Sequence, residues 1–489
     1  MKVLMMSAEA FPFAKTGGLA DAVSALSKAL SQKGVDVRIL MPRYYTIGRE
    51  KLEPVFKNIP VNLGFADFHV DFYSASMSES SVQVYFMDFE RLFGRDGIYG
   101  NRFETDYHDN PLRFSLLAHA MFALCKKLMW IPDVVHCHDW STALAPVLLK
   151  NASVLHLDDF SKVRTCFTIH NMGYQGRYQG DAYQFLGLPE NVRFSSGFDD
   201  FGSINFLKAA ITSASVITTV SPTYANEIRT PEGGFGLDGL LRVRSNVLSG
   251  ILNGVDTQQW NPKTDRYIAK NYTAENMSGK KQCKVALQKR FNLPVDETKA
   301  VIGIVTRLAE QKGINELFRP FYGCMWRLCE DLNVQIVVVG SGENWCENEI
   351  RYLTERFENF ASFLGYSEAL SHIVEAGSDF FLMPSKYEPC GLNQIYSMMY
   401  GTLPIVHQTG GLADTVLNYN EETGEGTGFT FYDLTPDAVY NTVKYAVNIF
   451  SQRNDVFKKM QKKAMAQSFP WSDAAEKYLG LYEKIAMKS

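Results

Sequence analysis

Arg307 and Lys312 stand five residues apart in the run Thr306-Arg307-Leu308-Ala309-Glu310-Gln311-Lys312-Gly313, directly behind the strand-like Val301 to Val305. Two cations flanking a turn into a helix can converge on one diphosphate without a metal ion, each charged hydrogen bond contributing on the order of 1.5 to 3 kcal/mol. Lys15 precedes Gly17 and Gly18 at the start of another helical pattern. Successive backbone N–H groups there form a nest for an oxyanion, and the lysine adds a mobile point charge. A third stretch runs from the buried strand Phe380 to Met383 into Glu388-Pro389-Cys390-Gly391-Leu392, then into a helix up to Tyr400. Pro389 stops the strand register. Gly391 allows a ligand close to the backbone, and the helix turns unpaired N–H groups toward the strand's C-terminal edge. This is a seat for phosphate. A carboxylate in the same turn would repel that anion, so Glu388 is expected to face a neutral hydroxylated group beside it. Phosphate next to sugar suggests a nucleotide sugar. Each stretch alone also reads as ordinary strand–turn–helix punctuation, a solvated lysine, or a cationic loop pairing with nearby acids.

These residues need strand ends to hold them. Val3 to Met6, helix Ala20 to Lys33 and Val35 to Leu40 form a βαβ opening. Val82 to Met87, Pro132 to Cys137, Val163 to Ile169, Ser215 to Val220 and Val247 to Leu252 read as further strands, with helices between them, notably Leu112 to Leu128 and Ser141 to Lys150. The grammar restarts at Ala300 with strands Val301 to Val305, Val334 to Val339, Ala361 to Leu364, Phe380 to Met383 and Leu403 to His407. The expected fold class is α/β, with two doubly wound Rossmann-like domains facing across a cleft. Residues 1–254 form the first domain, 255–468 the second, and 469–489 a C-terminal helix packing back toward the first. The polar stretch around 255 to 285 reads as a linker and surface excursion. In doubly wound sheets, ligands sit outside the C-terminal strand ends. That selects His136, His138, Asp139, His170, Asn171 and Asn253 as further candidates.

With 489 residues, 46% apolar and 21% charged, the chain has the composition of an ordinary globular protein of two or three domains. A net charge of −4 argues against a nucleic acid or a membrane surface as the main partner. The start is too short for a signal peptide, and no apolar run reaches spanning length. Eight cysteines without a Cys-x-x-Cys pair suggest a reducing cytoplasm and no structural zinc.

His136-Cys137-His138-Asp139 invites a metal reading. Alternate strand side chains point to opposite faces, so a compact three-ligand set is awkward there, and no metal is expected. The chain also holds no Asp-x-Asp pair for Mg²⁺ on a diphosphate. Tyr99 to Asn101 and Asp109 to Phe114 read as a polar loop leading into a helix, either lining a substrate or supplying a helix cap. Thr16-Gly17-Gly18-Leu19-Ala20-Asp21 recurs as Thr409-Gly410-Gly411-Leu412-Ala413-Asp414, six identical residues suggesting two glycine loops turned to one cleft. Cys390, at a helix start beside cations, reads as a small residue that fits or as a reactive thiolate.

With these stretches in view, the chain resembles the ADP-glucose-dependent glycogen and starch synthases of the two-Rossmann (GT-B) class of retaining glycosyltransferases. The motifs that carry the resemblance are Lys15 to Leu19, His138-Asp139-Trp140, Thr168 to Asn171, Ser221 to Ala225, Ile251 to Asp256, Arg307 to Lys312 and Glu388 to Leu392. They run nearly the full length in order. The resemblance implies that Lys15, with Gly17 and Gly18, contacts the distal phosphate and glucose. It implies that Arg307 and Lys312 bind the diphosphate and stabilise the ADP leaving group. Asp139 and His170 would line the glucose site, with the His170 main chain near the anomeric carbon. Glu388 would bond the glucose 3-hydroxyl region, Cys390, Gly391 and Leu392 would present their backbone, and Tyr366 would stack on adenine. Many retaining relatives carry a second glutamate eight residues after the first to hold ribose; position 396 here is tyrosine, as in the glycogen synthase branch, and ribose recognition is left unassigned.

The implied activity is retaining transfer of glucose from ADP-glucose to the non-reducing end of an α-1,4-glucan. No cofactor, nucleic acid or membrane partner is expected. Cations fixed at the departing phosphate would stabilise the transition state more than the ground state, and closure of the two domains would exclude water. The alternatives are a UDP-glucose-dependent enzyme of the same fold, an inactive glucan-binding scaffold, and a metal-dependent hydrolase built on His136, His138 and Asp139.

Overall fold

The computed structural model describes residues 1–78 and 80–487. Positions 488 and 489, the end of the expected C-terminal segment, lie outside the described residues. The chain divides into two compact units: Met1–Gly254 together with the chain from Trp471 onward, and Val255–Pro470.

The first unit is built on a nine-stranded sheet ordered 248–250, 216–219, 164–169, 134–138, 2–6, 36–42, 83–88, 67–76, 53–62. Pairing is parallel from 248–250 through 83–88. The chain starts at Lys2–Met6, winds outward to one side, then returns to Val134–His138 on the other. The strand order therefore reverses between these two neighbours, which opens a crevice at their C-terminal ends. Strand Val134–His138 is buried throughout, as a parallel strand covered on both faces must be. Helix Gly18–Gln32 covers the sheet with Leu19, Val23, Leu26 and Leu30, a 3- and 4-residue spacing that gathers one apolar stripe.

Two antiparallel strands, Glu53–Asn62 and Asp67–Ser76, extend this sheet where only parallel strands were expected. The outer one holds Pro54 and Pro60 and two register shifts. Proline is tolerated on an edge because the missing N–H faces outward, and there it hides the strand pattern. A small antiparallel sheet of 177–179, 203–205 and 199–200 was likewise not foreseen; its strands are too short for periodicity to register.

The second unit holds six parallel strands ordered 360–364, 334–340, 300–305, 380–383, 403–407, 429–431. Numbered along this unit the order is 3-2-1-4-5-6, so the reversal falls between Ala300–Val305 and Phe380–Met383. Val334–Gly340 is buried along its whole length and is mostly valine, which suits a pleat covered on both faces.

The stretch from 255 to 285 is no surface excursion. Asp265 is buried and takes His372 Nδ1 at 2.7 Å and the Tyr400 hydroxyl at 2.5 Å. Lys280 is buried too, donating to Ala376 O at 3.1 Å and Thr402 Oγ1 at 2.7 Å. Burial lowers its ammonium to about 8. Long lysine stems cover apolar surface while the head finds carbonyls, so a polar composition concealed a packed segment.

Candidate functional site

In the second unit the loop after Ala300–Val305 is pinned by Leu308, fully buried, whose N–H donates to Ser341 O at 2.8 Å. The loop then turns at Gly313 with φ +74°, where an added Cβ would lie 1.9 Å from Pro384 O. Only glycine permits that approach. It brings Lys312 to the strand end at Pro384, and Lys312 Nζ lies 2.5 Å from Glu388 Oε2, which also accepts the Ser385 hydroxyl at 2.9 Å. The two side chains are 17% and 9% exposed. Arg307 is exposed and reaches Gln311 Oε1 at 3.4 Å. The charges were expected to serve separate ligand groups; in this structure Lys312 and Glu388 neutralise each other. A side chain with one cation and one acid in reach takes the nearest counter-charge until a ligand supplies better.

Beside this pair, where the two central strands diverge, lies a cavity of about 100 Å³ lined by Thr306, Lys312, Ser385, Glu388, Gly391 and Leu392 among others. Gly391 adopts φ +68° over the Gln394 side chain. Cys390 is buried and does not line the cavity. Its carbonyl accepts Gln394 Nε2 at 3.0 Å, a packing position rather than an exposed thiol. Tyr366 follows strand Phe360–Leu364 on the same sheet edge and is 83% exposed, an uncovered ring. Tyr396 points elsewhere: it stacks on Trp260 at 4.0 Å, and Trp260 stacks on His372 at 3.8 Å.

In the first unit, Lys15 pairs with Asp21 at 2.7 Å and sits 5.6 Å from the Phe11 ring centre. Gly17 is exposed with nothing near its missing Cβ. The expected oxyanion nest is partly filled from within the protein. Glu9 Oε2 accepts the N–H of Thr16 at 2.5 Å and of Gly17 at 3.3 Å. Sequence reasoning missed Glu9; the signal was an acid breaking an apolar strand run just before the glycine loop.

Across the crevice, Asp139 follows strand Val134–His138 with φ +56°, uncommon for a non-glycine residue. Its Oδ1 accepts the His170 N–H at 2.7 Å. Burial raises this carboxyl to about 7, backbone N–H bonds from His170 and Asn171 oppose the rise, and the Glu9 charge adds to it. His138 Nδ1 meets His170 Nε2 at 3.0 Å. His136 and His138 share a face, ring centres 4.0 Å apart. His136 is tied to Thr168 Oγ1 at 2.6 Å and to the Tyr482 hydroxyl at 2.7 Å. Burial lowers His136 and His170 to about 3 and holds His138 well below the usual imidazole range. These are neutral, hydrogen-bonded rings. Among the described residues no group of three or more His, Cys, Asp or Glu could hold a metal ion. Asn253 is half-buried beyond strand Leu248–Gly250 at the same sheet edge.

The polar loop before helix Asn110–Lys127 is braced by Arg113, fully buried, which donates to Leu92 O, Ile98 O and Asn110 Oδ1. Asp109 makes no side-chain cap and instead pairs with Arg95. The loop is thereby fixed in place with Tyr99 turned toward Glu9.

Residues 2–243 match the family described as starch synthase catalytic domain, and residues 286–463 that described as glycosyl transferases group 1. The chain is 53% identical to a glycogen synthase of Treponema denticola, covering 99% of this chain and 98% of that one. It is 42% identical to a glycogen synthase of Koribacter versatilis, again over 99% and 98%. The catalytic domain of starch synthase IV from Arabidopsis thaliana, solved with ADP and acarbose, superposes with a TM-score of 0.88 at 31% identity, covering 99% of each chain.

Proposed function

The chain belongs to the family of glycogen and starch synthases, glycosyltransferases of the GT-B fold, and from that premise we propose that it transfers glucose from ADP-glucose to the non-reducing end of an α-1,4-glucan with retention. The observation that carries the donor side is the Lys312–Glu388 pair beside the cavity at the strand reversal. A lone phosphate would strand Glu388, and a lone sugar would strand Lys312. A phosphate joined to a hydroxylated ring exchanges one ion pair for two charged hydrogen bonds, so neither of these largely buried charges is left uncompensated.

Arg307 and Lys312 take the diphosphate, with Lys15 acting on the same donor. Negative charge grows on the departing phosphate as the anomeric bond breaks, and cations already in place meet it without reorganisation. Glu388 serves the glucose hydroxyls rather than acting as a nucleophile, and its Oε2 keeps the Ser385 hydroxyl at 2.9 Å when Lys312 turns to the phosphate. The leaving phosphate takes the acceptor proton on the same face. Asp139 holds the His170 backbone beside the sugar, the exposed Tyr366 ring takes the adenine, and Gly17, Gly18, Gly391 and Leu392 line the ligand through their backbone. Cationic side chains perform the charge balance that a divalent metal would otherwise supply. The eight cysteines, all buried and none in a disulfide, fit a reducing cytoplasm, and no described helix is long and apolar enough to cross a membrane.

The test is incorporation of labelled glucose into glycogen with ADP-glucose and UDP-glucose compared in EDTA, alongside Glu388→Ala and Lys15→Ala. Strong ADP-glucose transfer that survives EDTA and falls in both variants is expected. Transfer from UDP-glucose alone, or loss in EDTA, would overturn the donor or the charge-balance reading respectively.

A further inference from the structure

Glu9 is 2% exposed, beneath the loop that carries Lys15. Its Oε2 takes two backbone donors, Thr16 N–H at 2.5 Å and Gly17 N–H at 3.3 Å; its Oε1 takes two hydroxyls, Thr16 Oγ1 at 2.7 Å and Tyr99 at 2.9 Å. An ionised carboxylate offers about four lone-pair positions. These donors fill them, so no acceptor capacity is left for a substrate hydroxyl or for the proton an attacking hydroxyl gives up.

We propose that Glu9 is a positioning residue: it holds the backbone of residues 15–17 so that Lys15 meets the donor, and through Tyr99 it locks that loop to the one at 94–109. This deepens the proposed glucosyl transfer and rests on it. Lys15 itself is 42% exposed and its partner Asp21 34%. A surface ion pair fixes a long side chain weakly. The backbone under Lys15 is therefore where its aim is set. Tyr99 is a rigid tether: its ring packs 6.1 Å from Phe114 and 5.8 Å from Trp140, and Arg113 grips Ile98 O just before it at 2.8 Å. Burial, then the Glu9 charge, pushes the Tyr99 phenol well above its usual range, so it remains a donor.

The experiment is a kinetic cycle over wild type, Glu9→Ala, Lys15→Ala and the double variant, with Glu9→Gln and Tyr99→Phe, each with its melting temperature. The same cycle is run on ADP affinity by calorimetry, which reports on Glu9 whether or not the wild type transfers glucose. Wild-type transfer tests the functional reading; the ratios among variants test Glu9. Glu9→Ala should lower kcat about 100-fold, and the double variant should be no worse than Lys15→Ala within about twofold, because residues acting as one unit are not additive. Glu9→Gln should recover to within about tenfold of wild type, since its amide oxygen still accepts both N–H groups and the two hydroxyls can turn. Tyr99→Phe should lose less than Glu9→Ala. Multiplying losses in both cycles, or a Gln variant no better than Ala while equally folded, would overturn the proposal.

Discussion

The hexapeptide Thr-Gly-Gly-Leu-Ala-Asp occurs twice, and the two copies do opposite things. At 16–21 the glycines are open: Gly17 has nothing within 4 Å of its missing Cβ, and the helix that starts at Gly18 runs 15 residues. At 409–414 the glycines are closed. A Cβ on Gly410 would lie 2.0 Å from Glu388 O, and one on Gly411 would lie 1.9 Å from Cys390 O, while Gly411 N–H donates to Glu388 O at 3.0 Å. The helix there runs only six residues. Both copies start a helix beyond a strand, and each lies against a glutamate. In the first the glutamate is buried and holds the loop through its side chain; in the second the loop holds the glutamate through its backbone. One glycine loop leaves Gly17 open, while the other glycine pair is packed against the chain itself. Identical residues thus acquire their role from what the sheet order places beside them.

The contrast is broken most severely at the closed copy. Gly410→Ala combines φ +46° with a backbone collision, and should cost about 3 kcal/mol or more, read as a fall in melting temperature with donor affinity lost together. An Ala variant as stable as wild type would mean the two loops are interchangeable.

At the open copy, stability and activity should separate. Lys15→Ala removes a surface ion pair contributing about 0 to 1 kcal/mol, so melting should hardly move. Transfer should fall about 100-fold, the scale for losing one charge stabiliser of a transition state. Equal losses of both would deny the distinction.

A smaller effect tests the electrostatics around the open loop. Asp139 is lifted to about 7 from an ordinary 3.8. Folding therefore favours its protonated form, and that contribution to stability is full below pH 3.8 and lost as pH rises through about 7. Activity runs the other way, because the carboxylate is the stronger acceptor for the His170 N–H. kcat/KM should rise through pH about 7, and Asp139→Asn should flatten that rise. An unchanged inflection in the variant would assign it to another group.

Gly17→Ser should have the least effect on folding. Its φ of −158° is extended backbone open to any residue, and serine at a helix N-cap gains a few tenths of a kcal/mol. Loss of transfer without loss of stability would place the ligand against Gly17; unchanged transfer would move it away.

Much of this protein was legible along the chain. Runs such as Val334–Gly340 and Phe380–Met383 are apolar because both sheet faces are covered, and the alternation of such runs with helices dictates doubly wound units. Strand ends made Arg307, Lys312, Glu388, Lys15, Asp139 and His170 the candidates, and the structure brings Lys312 to Glu388 and Asp139 to the His170 N–H. The edge strands at 53–76 were not legible, since two prolines and broken register erase periodicity there. Nor was the buried segment around Asp265, because partners such as His372 and Tyr400 lie more than a hundred residues away.

What the sequence alone determined is which side chains stand at strand ends: cations, glycines and the carboxylates Asp139 and Glu388, in an order that admits a nucleotide sugar. Tertiary structure alone decided how those charges are spent. It paired Lys312 with Glu388, set Glu9 under the Lys15 loop, and turned Tyr396 onto Trp260. Periodicity is local and survives in one dimension. Pairing depends on distances of a few ångströms between residues far apart in the chain, and only the folded sheet order sets those.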